Sequence, residues 1–496
     1  MKVKMDAFGE ATTKFLQWLN EVGLVKISPK VSVEDRRKVN EGRCVVTTDN
    51  VQAKEILFEI PRGSILNVAT SKLGETYPEI GKVLLEEMGH WEGLVLCLLY
   101  EMNALKEKSR WWDYFSILPE RGCLQTLIYW PDEELELLRP SLIVDRVGKN
   151  DAREMFDRIK GYVTEFSGEF AEEIGGFTWE DFLYVASVIM SYSFDVENAI
   201  TEDKELVEEN QSSNVKNDGY MKSMIPLADT LNSDTKKCNA NLTYDIENLK
   251  MSATAEIQKG AQVYNIYGDH PNAELLRRYG YVEWDGSKYD FAELPLSLIL
   301  QKITQYFNVD AELIEALLDI MKERRQFFDL FEGEEVIVSS YDCYRDAQLP
   351  LEGVLLIQIL CLFLQKSNAK TIKGLEREKE LFMIAQKSIE LLKSSRVTKK
   401  CLKLWEICVE ARLSNYPTHA FREVCPDHES YCDIENLRQL MVDRVLQSEV
   451  ESLQDCLFAL DLDFRSVDDS TAFDSIQKRK RVQKKQKMVK KVKKQN

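Results

Sequence analysis

Strand-like sequence in this chain is confined to two short blocks about 180 residues apart, and that separation limits the fold more than any other feature. The first block holds two runs, Arg43 to Thr48 and Glu55 to Ile60, joined by a polar turn at Asp49 to Lys54. Pro61 ends the second run, because proline cannot donate to a ladder. The second block extends from Leu242 to Tyr267, with polar turns at Asp245 to Asn248 and at Lys259-Gly260. Short strands with polar turns argue against a doubly wound parallel sheet. They predict an α+β fold in which small antiparallel sheets meet around a helical insertion.

The spaces between the blocks read as helix. Phe8, Phe15, Leu16, Leu19 and Val22 fall near one face of a short N-terminal helix over 6–24. Residues 84–106 and 151–200 carry helical patterns, with an aromatic stretch, Trp111-Trp112-Asp113-Tyr114-Phe115, between them. Residues 201–219 are acidic and polar and read as a surface loop. Pro271 is placed to open a helix and Gly280 to close it. From Leu294 to Leu460 the pattern is almost wholly helical. The expected domains are an N-terminal helix (1–24), a mixed domain (25–292) with its insertion at about 62–219, an all-α domain (293–465) and a basic, disordered tail (466–496). No repeat of fixed period is present.

Composition narrows the class. A chain of 496 residues exceeds one ordinary domain, and 44% hydrophobic residues suffice for sizeable cores. No run reaches the eighteen apolar residues of a membrane span. Leu351 to Leu364 comes nearest, but it is short and carries Glu352 and Gln358, so it reads as a buried helix. The N-terminus lacks the apolar stretch of a secretory signal, and a soluble intracellular protein is expected. Eleven scattered cysteines without a Cys-x-x-Cys pair read as reduced thiols. With four histidines and no ligand spacing, no metal site is expected. The charge is divided: Lys478 to Lys494 holds eleven basic residues and no acid. Removing those eleven from the 65 basic residues leaves 54 against 83 acids, a net of −29 on the remaining chain. Such a body repels nucleic acid and attracts basic partners.

Several chemistries are absent. No two glycines are separated by one residue, so the dinucleotide turn Gly-x-Gly-x-x-Gly and the similar loop of Rossmann-type methyltransferases are missing. There is no phosphate-binding Gly-Lys-Ser/Thr loop, no His-Glu-x-x-His and no Gly-x-Ser-x-Gly. Two blocks stand out instead. Ile225-Pro226-Leu227-Ala228-Asp229-Thr230-Leu231-Asn232-Ser233 sets an Asp and an Asn three apart in apolar surroundings, which taken alone is a capped turn. Four tyrosines, Tyr264, Tyr267, Tyr279 and Tyr281, lie within eighteen residues, two directly before glycine; one at a time they read as core aromatics.

Their order says more than each alone. Glu41-Gly42-Arg43-Cys44 in an early strand pair, a helical insertion with Val185 to Phe194, the Ala-Asp-x-x-Asn block, then Tyr-Gly and Tyr-Gly-Tyr resemble the SET-domain protein-lysine methyltransferases. The similarity is to the subgroup with a split SET domain, a knot-like core and a helical C-terminal domain, which includes plant Rubisco large-subunit methyltransferase and fungal ribosomal-protein lysine methyltransferases. It covers roughly residues 20–460.

The resemblance implies S-adenosyl-L-methionine as cofactor and a role for each matched residue. Glu41, Gly42 and Arg43 match the first cofactor-holding loop. Tyr192 stands beside the cofactor, where other members carry Arg. Asp229 and Asn232 match the turn that meets the cofactor, and Ser233 replaces the usual His. Tyr267 matches the catalytic tyrosine and Tyr279 a tyrosine near the cofactor. Tyr264, Ser193, Asp195 and Tyr281 match the substrate channel. The implied substrate is a basic protein, a large-subunit (60S) ribosomal protein by the nearest resemblance, with residues 294–460 as its binding domain. Histones, a histidine target, or a silent SET-fold scaffold are the alternatives. The basic tail reads as a nuclear address for an import receptor, as an RNA-binding arm, or as a solvated end. A nuclear location is expected, with the cytoplasm as a second compartment. No membrane partner is expected.

Overall fold

The computed structural model describes residues 6–39, 41–166, 168–197, 219–424, 426 and 433–473. The chain divides into two compact units. The first comprises Met1–Glu136, Ile143–Ser287 and Pro426–Met441; the second comprises Leu137–Leu142, Lys288–Cys425 and Val442–Asn496. The last boundary falls inside the helix Ile434–Asp463.

In the first unit the helix Ala7–Glu21 opens on Asp6, whose carboxylate accepts from the Gly9 N–H at 3.0 Å. It buries Phe15, Trp18 and Leu19. The early strands Arg43–Thr47 and Ile56–Pro61 do not pair with each other, contrary to a simple hairpin. Arg43–Thr47 pairs antiparallel with Val31–Asp35. Ile56–Pro61 lies between Lys26–Ile27 and Asn248–Ala253, and Ala240–Tyr244 completes a four-stranded sheet. The polar linker turns each strand toward a different partner. The late block is thereby stitched directly onto the early one: Val263 N–H donates to the Val45 carbonyl at 2.8 Å and Thr47 N–H to the Ala261 carbonyl at 2.9 Å.

The helical stretch ends earlier than its pattern suggests. The helix Trp179–Tyr192 starts at a capping box built by Thr178 and Asp181. It stops at Tyr192, and Ser193–Glu197 forms an antiparallel pair with Tyr220–Met224. Phe194 and Val196 alternate with polar residues, a period-2 signal hidden at the end of a helical run. Of the expected surface loop, residues 201–218 lie outside the described residues. Asn272–Tyr279 is a helix with Pro271 at its start and Gly280 at its end. Gly280 has φ +73°, and a Cβ there would lie 2.7 Å from the Gln125 carbonyl carbon. Both the conformation and the approach require glycine.

The second unit is mostly helical. Its centre is the helix Leu351–Leu364, where nearly every side chain is buried. Gln358 is fully buried there, and its amide exchanges hydrogen bonds with the Thr398 hydroxyl (3.0 Å) and N–H (2.8 Å). A buried amide costs little only when paired this way. Two strand pairs interrupt the helices: Phe291–Pro295 with Ser340–Tyr344, and Arg396–Thr398 with Arg465–Val467. The second pair carries the described fold past the boundary expected at 465. The basic segment 478–494 lies outside the described residues. No helix among the described residues is long and apolar enough to cross a membrane.

Candidate functional site

The first unit contains a cavity of about 830 Å³, within the usual range for a small-molecule site. A two-residue parallel ladder borders it, in which Asn232 faces Tyr264 and Ser233 faces Asn265. The chain arrives at this ladder through a tight bend. Leu227 takes φ +76°, a conformation that L-residues rarely adopt and that tends to persist at functional sites. A short 3-10 turn, Ala228–Thr230, then turns the backbone into Asn232.

Asn232 is a structural hub. Its Nδ2 donates to the Glu41 carbonyl at 3.1 Å and to Gln262 Oε1 at 2.7 Å. Gln262 Nε2 in turn donates to Glu41 Oε2 at 3.0 Å and to Tyr264 Oη at 2.8 Å. The Glu41-Gly42 loop is thus tied to the ladder by side-chain amides. Gly42 has φ +60°, and an added Cβ would have nothing within 4 Å, so open space lies over this backbone. Gln262 is 6% exposed and central to the network, yet nothing in the sequence singled it out. Its sole signal is its place two residues before Tyr264.

Three phenols form the floor. The rings of Tyr267 and Tyr279 have centroids 4.8 Å apart, and Tyr281 meets Tyr267 edge-on at 6.3 Å. Tyr267 Oη donates to the Leu231 carbonyl at 2.7 Å, while its own carbonyl accepts from Tyr279 Oη at 3.1 Å. Its N–H donates to Ser233 Oγ at 3.2 Å, so the serine hydroxyl holds the backbone of the tyrosine. Burial, followed by the neighbouring phenols of Tyr281, Tyr192 and Tyr279, pushes the Tyr267 phenol well above its ordinary pKa. It remains a neutral O–H. With that hydrogen committed to Leu231, its remaining lone-pair capacity can accept.

Tyr192, Glu41, Gly42, Asn232, Ser233, Tyr264, Tyr267, Tyr279 and Tyr281 therefore line one cavity. Four expected residues do not. Arg43 turns away: its guanidinium donates to Thr12 Oγ1 at 2.8 Å and to the Ile117 carbonyl at 3.0 Å, and sits 3.7 Å over the Phe8 ring. It pins the N-terminal helix. Ser193 and Asp195 belong to the strand Ser193–Glu197, outside the cavity lining, and Asp195 pairs with Lys222 at 2.6 Å. Asp229 lies outside the lining and accepts from Tyr114 Oη at 2.5 Å. Burial pushes its carboxyl up to about 7, even though the Tyr114 hydrogen bond acts the other way. The aromatic stretch at 111–115 thus supplies the partner of Asp229, a connection that sequence spacing could not show.

The chain is similar to several known proteins. The SET domain family matches residues 42–268. Ribosomal lysine N-methyltransferase 4 of Saccharomyces cerevisiae is 42% identical over 482 residues, covering 96% of this chain and 97% of that protein. N-lysine methyltransferase SETD6 of Rattus norvegicus is 31% identical over 60% of this chain and 59% of its own length. Among solved structures, Rubisco LSMT bound to AdoMet aligns with a TM-score of 0.55 at 19% identity, covering 91% of this chain and 92% of that one.

Proposed function

This chain belongs to the SET-domain protein-lysine methyltransferases, and from that premise we propose that it transfers the methyl group of S-adenosylmethionine to a lysine of a large-subunit ribosomal protein. The end-to-end similarity to ribosomal lysine N-methyltransferase 4 supports the substrate class. The acidic body, at −29 outside the tail, suits a strongly basic partner.

The residues present fit the cofactor. Gly42 leaves backbone open to a ligand, and the Tyr267–Tyr279–Tyr281 rings offer π faces to a cation. Glu41, Gly42, Ser233 and Tyr279 would hold it, with Asn232 fixing the loop. When bound, S-adenosylmethionine supplies a methyl group made electrophilic by a sulfonium.

The protein's share is deprotonation and aim. A lysine ammonium has an ordinary pKa of ~10.4, so neutralising it near pH 7.4 costs about 4 kcal/mol. A desolvated aromatic surround favours the neutral amine. Fixing the amine along one line can contribute several kcal/mol more. The single observation that carries this reading is Tyr267 Oη, held 2.7 Å from the Leu231 carbonyl. Two fixed oxygens are thereby gathered at one point, able to accept weak CH···O contacts from a polarised methyl group.

The test is methyl transfer from isotope-labelled S-adenosylmethionine to isolated large-subunit ribosomal proteins, with the modified residue located by mass spectrometry. Labelled lysine is expected, with a rate that falls as salt rises, since exposed charges are screened over ~8 Å at physiological ionic strength. Label on histidine or on histones alone would overturn the substrate assignment. Cofactor binding without any transfer would indicate a scaffold. The tail Lys478 to Lys494, with eleven positive charges, supports a nuclear address read by an import receptor. Its removal is expected to move the protein to the cytoplasm under fluorescence microscopy while leaving transfer to purified substrate intact. An unchanged distribution would refute the address.

A further inference from the structure

The last turns of the helix Ile434–Asp463, which belong to the second unit, carry apolar residues on both sides. Leu453, Cys456, Ala459 and Leu460 are buried, and Trp405 Nε1 donates to the Cys456 carbonyl at 3.0 Å. Those residues seat the inner side. On the outer side Phe458 is 63% exposed and Leu462 81%, the most exposed large apolar side chain among the described residues. Four residues apart, the two are neighbours on one helical face. Asp455 and Asp461, three residues before and after Phe458, lie on the same side, and Asp463 follows. Asp455 Oδ2 accepts from the Asp346 N–H at 3.1 Å. Among the described residues, no cation pairs with Asp461 or Asp463. The outer face is therefore apolar with an acidic border.

The chain that follows stays on the second unit. Lys399 pairs with Asp468 at 3.0 Å, Gln365 Nε2 donates to Asp469 Oδ1 at 2.8 Å, and Ala472 is 2% exposed. The described chain ends at Phe473, eleven residues past Leu462. Nine residues further on stands Val482, and nine extended residues span about 30 Å. Val482, Val489 and Val492 recur at steps of seven and three, the spacing of one helical face, with lysines between them. The sequence beyond Phe473 is thus apolar with a basic border, the opposite of the face it leaves.

We propose that this face is the docking site of the chain's own basic segment, with Val482, Val489 and Val492 against Phe458 and Leu462 and the intervening lysines against Asp455, Asp461 and Asp463. Lysine suits both parts of the face, because its stem covers apolar surface while its ammonium reaches a carboxylate. The tether lets a weak contact suffice, since an attached segment is present at an effective concentration on the order of millimolar. Exposed ion pairs of this kind are individually weak and screened by salt, so the dock is releasable. While docked, the segment withholds its charges from any other partner, and the cluster Lys478-Arg479-Lys480-Arg481 is covered with it. The inference goes beyond the methyl-transfer reading and does not rest on it.

The test exposes the full chain briefly to trypsin and follows cleavage within 478–494 by mass spectrometry, beside a synthetic peptide of residues 474–496. In the unaltered chain at low salt the segment is expected to be cut roughly tenfold more slowly than the free peptide, because cleavage tracks the undocked fraction. The difference should fade as salt rises. The double variant Phe458→Ala with Leu462→Ala is expected to bring cleavage to within about twofold of the free peptide, and Asp461→Lys with Asp463→Lys to do the same. All four side chains are exposed, so melting curves should be unchanged and separate a lost dock from a lost fold. Cleavage of the unaltered chain at the rate of the free peptide overturns the dock. Slow cleavage that neither double variant relieves overturns it too, because the shielding then lies elsewhere. Shielding that grows with chain concentration overturns the intramolecular assignment and gives the face to the segment of a second copy.

Discussion

Replacing Tyr267 with phenylalanine is expected to lower turnover roughly 10²-fold, about 2.7 kcal/mol of barrier, while cofactor affinity changes little. The ring would stay, and with it the 4.8 Å packing on Tyr279. What disappears is one oxygen, its hydrogen bond to the Leu231 carbonyl and its ability to accept from the reacting methyl group. The contact with the methyl group is realised fully only as that group moves. The loss therefore belongs in turnover, and the substrate KM should hold. Single-turnover kinetics alongside calorimetry would separate the two. Full turnover in Tyr267→Phe would reduce this tyrosine to a core aromatic.

The second large effect is expected at Asn232, and its target is cofactor affinity. Asn232→Ala removes both donors that tie Glu41 and Gln262 to the ladder. Leaving partly buried acceptors unpaired costs about 1–3 kcal/mol each, so affinity for S-adenosylhomocysteine should fall on the order of 10²-fold. Part of the cost should also appear as a lower Tm, since the Glu41-Gly42 loop is released. Asn232→Asp separates a donor role from a steric one. The aspartate has the same shape but sets an acceptor against the Glu41 carbonyl and Gln262 Oε1, so it should bind at least as poorly as the alanine variant. Wild-type affinity in Asn232→Asp would show that the amide donors are irrelevant.

The sequence by itself determined which local pieces exist. Pro271 and Gly280 bracket a helix because one fits a helix start and the other tolerates a left-handed end. The apolar run at 351–364 is a buried helix, since its length and composition allow little else. The order of Glu-Gly-Arg, Asp-x-x-Asn and the two Tyr-Gly steps was enough to indicate the family. Nine of the thirteen residues so marked line one cavity.

Only the tertiary structure decided where the marked side chains point. Arg43 follows Gly42 directly, yet its guanidinium serves the N-terminal helix through Thr12 and the Phe8 ring, partners about thirty residues away that no neighbouring residue announces. Asp229 stands three residues before Asn232 but is committed to Tyr114, more than a hundred residues earlier. Ser193 and Asp195 left the expected site when the helix ended at Tyr192 and the chain paired with residues 220–224. Gln262 and the cavity-lining residues of the turn at 434–441 carry next to no local signature, because a glutamine or an amphipathic turn is common everywhere. Their roles arise from contacts across long stretches of chain. Such contacts are fixed by strand pairing and helix packing rather than by the pattern of neighbouring residues, and a single sequence records only the latter.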